Sequence, residues 1–465
     1  MQMNPSTYSE WMLKFTALIV AMFVRGVCDA QEVDAINDTL ICIPSSRQVA
    51  WQQRELEILV HFGMNTFSGR EWGTGREDPK AFSLTNLDCL QWVETAKAFD
   101  AKAAILVAKH HDGFCLWPSK FTDHSVRNSP WRNGKGDVVR DFSDACRMAG
   151  LAFGVYLSPA DLHEPSFGRN SRKYNEFFCN QLRELLTEYG EIAQVFFDGA
   201  NPPGRQQGYD FPRYYRLIRE LQPNAVISIR GPDVRWVGNE IGRARESEWS
   251  LIPIPKPPLE HDWPDLTAED LGSREKLKGA KYLHWYPAVA DVSLRRGWFW
   301  QPNTEASIKS VNELVRIYED SVGRNAGLQL NIAPDRSGRI PEPDVKRLKE
   351  FGDALRGLFG TNLLATTNAT VQPMAFHSDG TASQLVRFRN PMHLRYVVLQ
   401  EDITKGQRVE EFEVIATDVN GRSHVFSATT IGWKRILRIN VETVQTLLVT
   451  IKQSRDRPIV SLSAF

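Results

Sequence analysis

The chain has 465 residues, 42% of them hydrophobic, which is enough for a large core and two or three structural units. Its 56 Lys and Arg residues equal its 56 Asp and Glu residues, so there is no net charge to attract nucleic acid or an anionic membrane. The composition therefore excludes both as expected partners and favours a neutral substrate such as an oligosaccharide.

The N-terminus predicts a secretory signal peptide over residues 1–30. Lys14 precedes an apolar run at 15–24 that is too short to span a bilayer, and small residues up to Ala30 suit cleavage before Gln31. We therefore expect a secreted protein, in a cell wall, apoplast or other extracellular fluid, or in a lysosome-like compartment. Glycosylation sequons at 37–39 and 368–370 agree with this prediction.

From residue 55 to 355, short apolar runs alternate with longer helical patterns, which is typical of a parallel (β/α)8-like TIM barrel. We assign residues 31–358 to this catalytic barrel domain. A clean strand and helix cannot be assigned within 240–280, a stretch rich in Pro and charged residues. The predicted strands are 56–62, 103–108, 152–157, 193–198, 225–229, 281–285 and 328–332, and the predicted helices are 87–99, 138–149, 171–189, 212–221 and 305–321.

After residue 360 the helical period disappears, and alternating apolar and polar residues take over, as in 386–389, 396–399 and 411–415. Turn residues such as those at 420–421 separate these segments. The pattern predicts an antiparallel C-terminal β-sandwich over residues 359–465.

Asp198 closes the mostly apolar run 193–198, and Gly199 follows it. In a parallel barrel the C-terminal ends of the strands carry the chemistry. A carboxylate there, with no Lys or Arg within four residues, is a candidate nucleophile or general base. The alternative is an Asp that only caps the next helix.

Other polar side chains stand at the ends of the earlier strands, and we expect them to share one cleft with Asp198. Adjacent His side chains on a strand point to opposite faces, so His110 and His111 are not expected to bind one metal ion together. We predict no metal site and no cofactor, because imidazoles here suit hydrogen bonds to sugar hydroxyls. The candidate residues are His61, Glu71, Trp72, His110, His111 and Tyr156.

Cleavage of a glycoside requires a second carboxyl group to protonate the leaving oxygen. Glu240, in a loop after the fifth strand, is one candidate, with Glu246 and Glu248 as rivals. A solvated loop charge is the alternative interpretation of all three.

Several long motifs resemble family 29 of the glycoside hydrolases, the retaining α-L-fucosidases. The sequence of residues 235–240 resembles that of the branch that acts on α-1,3- and α-1,4-linked fucose, which has plant and bacterial members. The C-terminal region also resembles the β-sandwich of that family. The stretches that carry the resemblance are 109–119, 123–126, 197–200, 231–240, 291–293, 297–299 and 321–325.

The resemblance implies an exo-α-L-fucosidase acting on fucosylated oligosaccharides or glycoprotein glycans by double displacement. Asp198 matches the nucleophile of the family, and Glu240 matches the acid/base of this branch. Trp298 matches a wall for the methyl group of fucose. The residues that match positions holding the fucose ring are His61, Glu71, Trp72, His110, His111 and Tyr156.

One position departs from the family pattern: Val289 stands where a Glu usually follows Pro-Ala. If that Glu shapes the site or supports a catalytic partner, linkage preference or rate would differ here. Two other functions stay open at this point, a secreted lectin-like protein that binds fucosylated glycans without turnover, and the same chemistry on a different terminal sugar.

Overall fold

The computed structural model describes residues 31–32, 40–199 and 202–465. The predicted signal peptide and the sequon at 37–39 lie outside the described residues. No helix in the described part of the chain is long and apolar enough to cross a bilayer. The described helices are α1 (Ser46–Gln52), α2 (Met64–Ser68), α3 (Cys89–Ala98), α4 (Val138–Ala149), α5 (Ser171–Glu188), α6 (Phe211–Leu221), α7 (Arg274–Leu277), α8 (Val311–Ser321) and α9 (Glu342–Phe359).

Within the described residues the strands form three sheets, of which the central one has eight strands. In chain order they are β1 (Gln31–Glu32), β2 (Leu56–Val60), β3 (Ala103–Lys109), β4 (Ala152–Leu157), β5 (Gln194–Phe197), β6 (Val226–Ile229), β7 (Arg235–Trp236), β8 (Leu251–Ile254), β9 (Tyr282–Trp285), β10 (Ala288–Ser293), β11 (Ala326–Ile332), β12 (Ala369–Val371), β13 (Ala375–Phe376), β14 (Ala382–Glu401), β15 (Val409–Asp418), β16 (Ser423–Ala428), β17 (Arg435–Ser454) and β18 (Val460–Ala464).

The eight-stranded sheet is a nearly closed parallel barrel, which confirms the predicted fold class. Its strand order is β6-β5-β4-β3-β2-β11-β10-β7, and its neighbouring strands pair in parallel. Ser228 of β6 forms a parallel bridge with Val234, the residue before β7, so the two edges of the sheet meet.

The strands read as continuous apolar runs because they are buried on both faces. All residues of β2 and β3 are buried. Leu59 and Ile105 belong to the cluster inside the barrel, whereas Ile58 and Leu106 belong to the cluster between strands and helices. This alternation determines which face of each strand points into the barrel. The candidate site lies at the C-terminal ends of these strands.

The predicted barrel strand at 281–285 is wrong in its placement. Residues Tyr282–Trp285 form β9, which pairs antiparallel with β8 and with β1 in a separate three-stranded sheet. The barrel position is taken by β10, which begins after Pro287. Asp291 interrupts the apolar run of β10, so its sequence does not resemble a buried strand as closely as that of β9 does.

Two further elements differ from the predictions. Residues 240–280, where no clean element was predicted, contain β8 and the short helix α7. The helix predicted over 305–321 is broken: a 3-10 turn covers Glu305–Ser307, and α8 starts at Val311. Ser310 and Glu313 form a capping box there, which favours a new helix start at this point.

The C-terminal region is antiparallel, as predicted. One hydrogen-bonded sheet has the order β12-β14-β17-β15-β16, with β13 and β18 also paired to β14. The two 20-residue strands β14 and β17 pair along their length with register shifts between Arg387 and Tyr396. Apolar residues such as Phe412 and Val449 form a core of their own, separate from the barrel core.

Candidate active site

A small cavity of about 120 Å³ opens at the C-terminal ends of the barrel strands. The structure brings all nine of the catalytic and binding residues predicted from the sequence to its lining. Leu59, Phe196 and Asp291 complete the wall. The nine predicted residues are His61, Glu71, Trp72, His110, His111, Tyr156, Asp198, Glu240 and Trp298.

Asp198 follows the last residue of β5, so the strand end directs its carboxylate into the cavity. The hydroxyl of Tyr156 donates to its Oδ2 at 2.6 Å. The Nε2 of His111 lies 3.8 Å from the same oxygen. The side chain is 30% exposed, so the carboxylate is held on one side by protein and open on the other. This arrangement suits a group that attacks a bound ligand.

His61 stands one residue beyond β2 and is oriented by Asn331 of β11. Its Nδ1 donates to the Oδ1 of Asn331 at 2.8 Å, since an amide oxygen can only accept. The amide nitrogen of Asn331 donates in turn to the Trp298 carbonyl at 2.8 Å. The Trp298 ring lies 5.1 Å from the imidazole, centroid to centroid. The Nε2 of His61 is therefore left as a hydrogen-bond acceptor.

The expectation that His110 and His111 face opposite sides is wrong. β3 ends at Lys109, so the two residues lie in the following turn, where strand alternation no longer applies. Their ring centroids are 4.0 Å apart, and both rings line the cavity.

Two polar side chains orient these imidazoles. The Nδ1 of His111 lies 2.7 Å from the Oγ of Ser158, whose own proton goes to the Ala160 carbonyl. The Nδ1 of His110 accepts from the amide nitrogen of Asn65 at 3.4 Å. Each ring therefore presents its Nε2 to a ligand, that of His111 as an acceptor and that of His110 as a donor.

The histidines are neutral at neutral pH. Burial lowers the pKa of His61 to about 4 and that of His110 well below its ordinary value. Burial also lowers the pKa of His111, partly offset by the nearby charge of Asp198. Neutral imidazoles donate and accept at once, which matches the hydroxyl groups of a sugar.

Glu71 and Trp72 come from the loop after α2. The Oε2 of Glu71 accepts from the backbone N–H of Trp298 at 2.9 Å. The Trp72 ring lies 4.8 Å from that of His111. Gly75 allows this loop to pack directly against the backbone at Leu162. The φ of Gly75 is +74°, and a Cβ at this position would lie 2.4 Å from the carbonyl carbon of Leu162.

Glu240 lies beyond β7, where it lines the cavity while part of its surface stays exposed to solvent. Burial raises its pKa, and the charges on Asp198 and Glu71 raise it further, while a hydrogen bond from the Trp298 side chain lowers it. A raised pKa suits a general acid. The indole of Trp236, four residues before Glu240, donates to Asp291 at 2.8 Å.

The rivals Glu246 and Glu248 do not line the cavity. Glu248 is fully buried and pairs with Arg235 and Arg245. Glu246 is 72% exposed and pairs with Arg324. Both glutamates are therefore engaged in ion pairs outside the cavity, and neither lines it.

Val289 is fully buried inside the barrel. It packs in the interior cluster with Leu59, Tyr156 and Phe196, two residues before Asp291 on the same face of β10. The cavity lining includes Asp291 and not Val289. The departure from the family pattern therefore lies beneath the site rather than in its wall.

Sequence reasoning missed four polar residues of the site. Asn65, Ser158 and Asn331 orient the three histidines, and Asp291 adds a carboxyl group to the wall. The position of Asn331 in the last strand was the available signal, because barrel strands deliver polar side chains at this end. Asp291 was missed because β10 was not recognised as a strand. Among the described residues, no group of three His, Cys, Asp or Glu side chains is arranged to hold a metal ion.

Comparison with known proteins agrees with the site. The sequence model of the family described as Alpha-L-fucosidase matches residues 40–357. Alpha-L-fucosidase 1 of Arabidopsis thaliana is 38% identical over 452 residues, covering 91% of this chain and 87% of that protein.

Solved structures resemble the whole fold. A glycoside hydrolase 29 family member from an unknown rumen bacterium superposes with a TM-score of 0.81 at 35% identity, covering 91% of this chain and 77% of that one. A GH29 fucosidase of Ruminococcus gnavus, in complex with fucose, superposes with a TM-score of 0.81 at 28% identity, covering 94% of this chain and 96% of that one. Because the family match spans well over half of the chain, the chain belongs to the alpha-L-fucosidase family of glycoside hydrolases and is an α-L-fucosidase.

Proposed function

We propose that the protein is a retaining exo-α-L-fucosidase that releases terminal α-1,3- or α-1,4-linked L-fucose from branched glycans. Asp198 is the nucleophile and Glu240 is the acid/base. The observation that carries the proposal is that these two carboxyl groups line one cavity in unlike surroundings. Tyr156 holds Asp198 in place, whereas partial burial and the charge on Asp198 raise the pKa of Glu240 above its ordinary value.

Catalysis proceeds in two steps. Asp198 attacks the anomeric carbon of fucose while Glu240 gives its proton to the departing glycosidic oxygen, which forms a fucosyl ester. Glu240, now ionised, removes a proton from water, and the water displaces Asp198 from the anomeric carbon. Two inversions leave the configuration of the released fucose unchanged.

The remaining residues of the cavity bind the sugar. The histidines His61, His110 and His111 and the carboxylate of Glu71 offer donors and acceptors to its hydroxyl groups, and the ring of Trp298 packs against its methyl group. The small volume of the cavity, about 120 Å³, supports an exo mode in which a single terminal sugar is enclosed. The fucose complex of the Ruminococcus gnavus relative supports fucose as that sugar.

The linkage preference rests on the segment that carries Glu240. Its sequence at 235–240 resembles the branch acting on α-1,3- and α-1,4-linked fucose. Trp236 and Asp265 line a second cavity next to the first, where the rest of a branched glycan fits. We also propose secretion, because of the N-terminal apolar run; mass spectrometry of the N-terminal peptide of protein from a secreting host is expected to show a chain that begins at Gln31.

Time-resolved proton NMR of a Lewis-type trisaccharide tests the reaction. Wild type is expected to release α-fucose first, Asp198→Ala is expected to release none, and Glu240→Ala is expected to lose most of its rate. β-Fucose as the first product would contradict the double displacement. Binding of the trisaccharide by wild type without release of fucose would point to the lectin-like alternative.

A further inference from the structure

A second cavity, of about 250 Å³, adjoins the fucose cavity on the side of β6 and β7. It shares part of its wall with the first cavity, namely Phe196, Asp198, Glu240 and Asp291. Its other lining residues are Gly199, Ile229, Trp236 and Asp265. Because Glu240 lines both cavities, a sugar in the second one would lie within reach of that carboxyl group.

Asp291 lines both cavities and is hydrogen-bonded to Trp236, which lines the second one. Its Oδ1 accepts the indole N–H of Trp236 at 2.8 Å, and the two residues lie on the neighbouring parallel strands β10 and β7. Trp236 precedes Glu240 by four residues, so the same short segment carries a wall of the second cavity and the acid.

Asp291 is one of three buried carboxyl groups of this barrel, with Asp112 and Glu184, that form no ion pair with Lys or Arg among the described residues, and of the three it is the one that lines both cavities. Asp161, Glu248 and Asp344 are buried too, and each one pairs with a Lys or Arg side chain. The hydrogen bond to Asp291 comes from a neutral indole, and the charged groups that act on it most are the carboxylates of Glu240 and Asp198.

Such a residue lowers the stability of the fold, because a buried acid without a cation is expensive. Burial accordingly raises the pKa of Asp291 to about 7. Locally unfavourable choices of this kind are expected where function requires them.

We infer that Asp291 is a positioning residue for the leaving group: by accepting the indole N–H of Trp236, it fixes the ring that walls the second cavity, so that the leaving sugar lies where Glu240 protonates its oxygen. This inference rests on the proposed function of the site. It predicts a role that matters more for a substrate with a sugar leaving group than for one whose leaving group does not fill the second cavity.

The test compares kcat/KM on a Lewis-type trisaccharide with kcat/KM on an aryl α-L-fucoside. In Trp236→Phe and in Asp291→Ala, the trisaccharide value is expected to fall about tenfold further than the aryl fucoside value, as loss of one buried hydrogen bond would cause. In Asp291→Asn the amide oxygen still accepts the indole N–H. The ratio of the trisaccharide kcat/KM to the aryl fucoside kcat/KM is therefore expected to stay within about threefold of wild type.

A matched control is Trp433→Phe. The Trp433 indole donates to Glu55 at 2.8 Å, at the N-terminal end of β2 and therefore at the opposite end of the barrel. This variant loses the same type of hydrogen bond, and both rates are expected to match those of wild type. Thermal unfolding of every variant shows whether it folds. If Asp291→Ala does not fold, Trp236→Phe leaves Asp291 in place and still tests whether the indole hydrogen bond matters more for the sugar leaving group.

Equal losses on both substrates in Trp236→Phe would overturn the inference, as would an Asp291→Asn variant that loses as much selectivity as Asp291→Ala. The double variant Trp236→Phe with Asp291→Ala is expected to be no worse than the poorer single variant, and additive losses would also count against it. Failure of the proposed function is distinguishable, because wild type itself would then release no fucose from the trisaccharide.

Discussion

The phenolic hydroxyl of Tyr156 donates a 2.6 Å hydrogen bond to the Oδ2 of Asp198. Tyr156 is buried at the end of β4, and Asp198 follows the neighbouring strand β5. Burial and the nearby charge raise the pKa of Tyr156 well above its ordinary value, so the phenol keeps its proton and acts as the donor. The pairing of two strands thus fixes the direction of the proposed nucleophile.

Tyr156→Phe is expected to lower kcat/KM on an aryl α-L-fucoside about 10- to 100-fold, since a hydrogen bond to a charged group contributes about 1.5–3 kcal/mol. Tyr189→Phe is the matched control, because the Tyr189 hydroxyl donates to Asp137 at 2.9 Å away from the cavity. Steady-state kinetics of both variants check this. Equal losses in the two variants would mean that the Tyr156 bond has no special role in the site.

The pH profile tests the electrostatics of Glu240. Burial and the charges of Asp198 and Glu71 raise the pKa of Glu240. The first step needs its protonated form, so kcat/KM is expected to fall as pH rises through that pKa. Glu71→Gln removes one negative charge that raises the pKa, so the alkaline limb of the profile is expected to move to lower pH. An unmoved limb, whatever the absolute rate, would show that Glu71 does not act on the acid.

Gly75→Ala is expected to displace the loop that carries Glu71 and Trp72. The new Cβ would meet the Leu162 carbonyl carbon at 2.4 Å, and the left-handed φ of +74° adds a cost of about 1–2 kcal/mol. We expect a raised KM for the aryl fucoside and a lower melting temperature. Gly150→Ala is the control: its φ is +71°, but its Cβ would meet no atom within 4 Å, so only the melting temperature is expected to fall. A KM in Gly150→Ala raised as much as in Gly75→Ala would contradict this explanation.

Val289→Glu tests whether the family residue fits this barrel. Val289 is fully buried among apolar side chains, so we expect a loss of at least about 2 kcal/mol in the free energy of unfolding at pH 7.5. Burial would raise the pKa of the introduced carboxyl above its unfolded value. The loss is therefore expected to be smaller at low pH, where the group is protonated in both states, and to grow as pH rises from the unfolded to the folded pKa.

Val289→Gln is the matched control, because its amide does not ionise and its penalty is expected not to change with pH. Chemical denaturation of both variants at pH 4.5 and 7.5 measures the difference. A Glu variant as stable as wild type at pH 7.5 would mean that the barrel interior contains a partner for a carboxylate.

The sequence predicted the barrel because its strands are buried on both faces and therefore appear as continuous apolar runs. It also indicated that polar residues such as His61 and Asp198 share one cleft, because they directly follow those runs and parallel strands bring such positions together at one end. Trp298, and the preference for Glu240 over its rivals, came only from the family resemblance. The C-terminal sheet was recognisable from its period of two.

Only the tertiary structure decided how these parts meet. Trp285 belongs to an apolar run, but its strand pairs antiparallel outside the barrel, while Asp291 lies in the strand that belongs to it. His110 and His111 share a cavity because the strand ends one residue before them. The sequence determined which segments are buried because burial follows local hydrophobicity; strand partners and side-chain directions depend on contacts between distant residues, and those contacts placed Asp291 against Trp236.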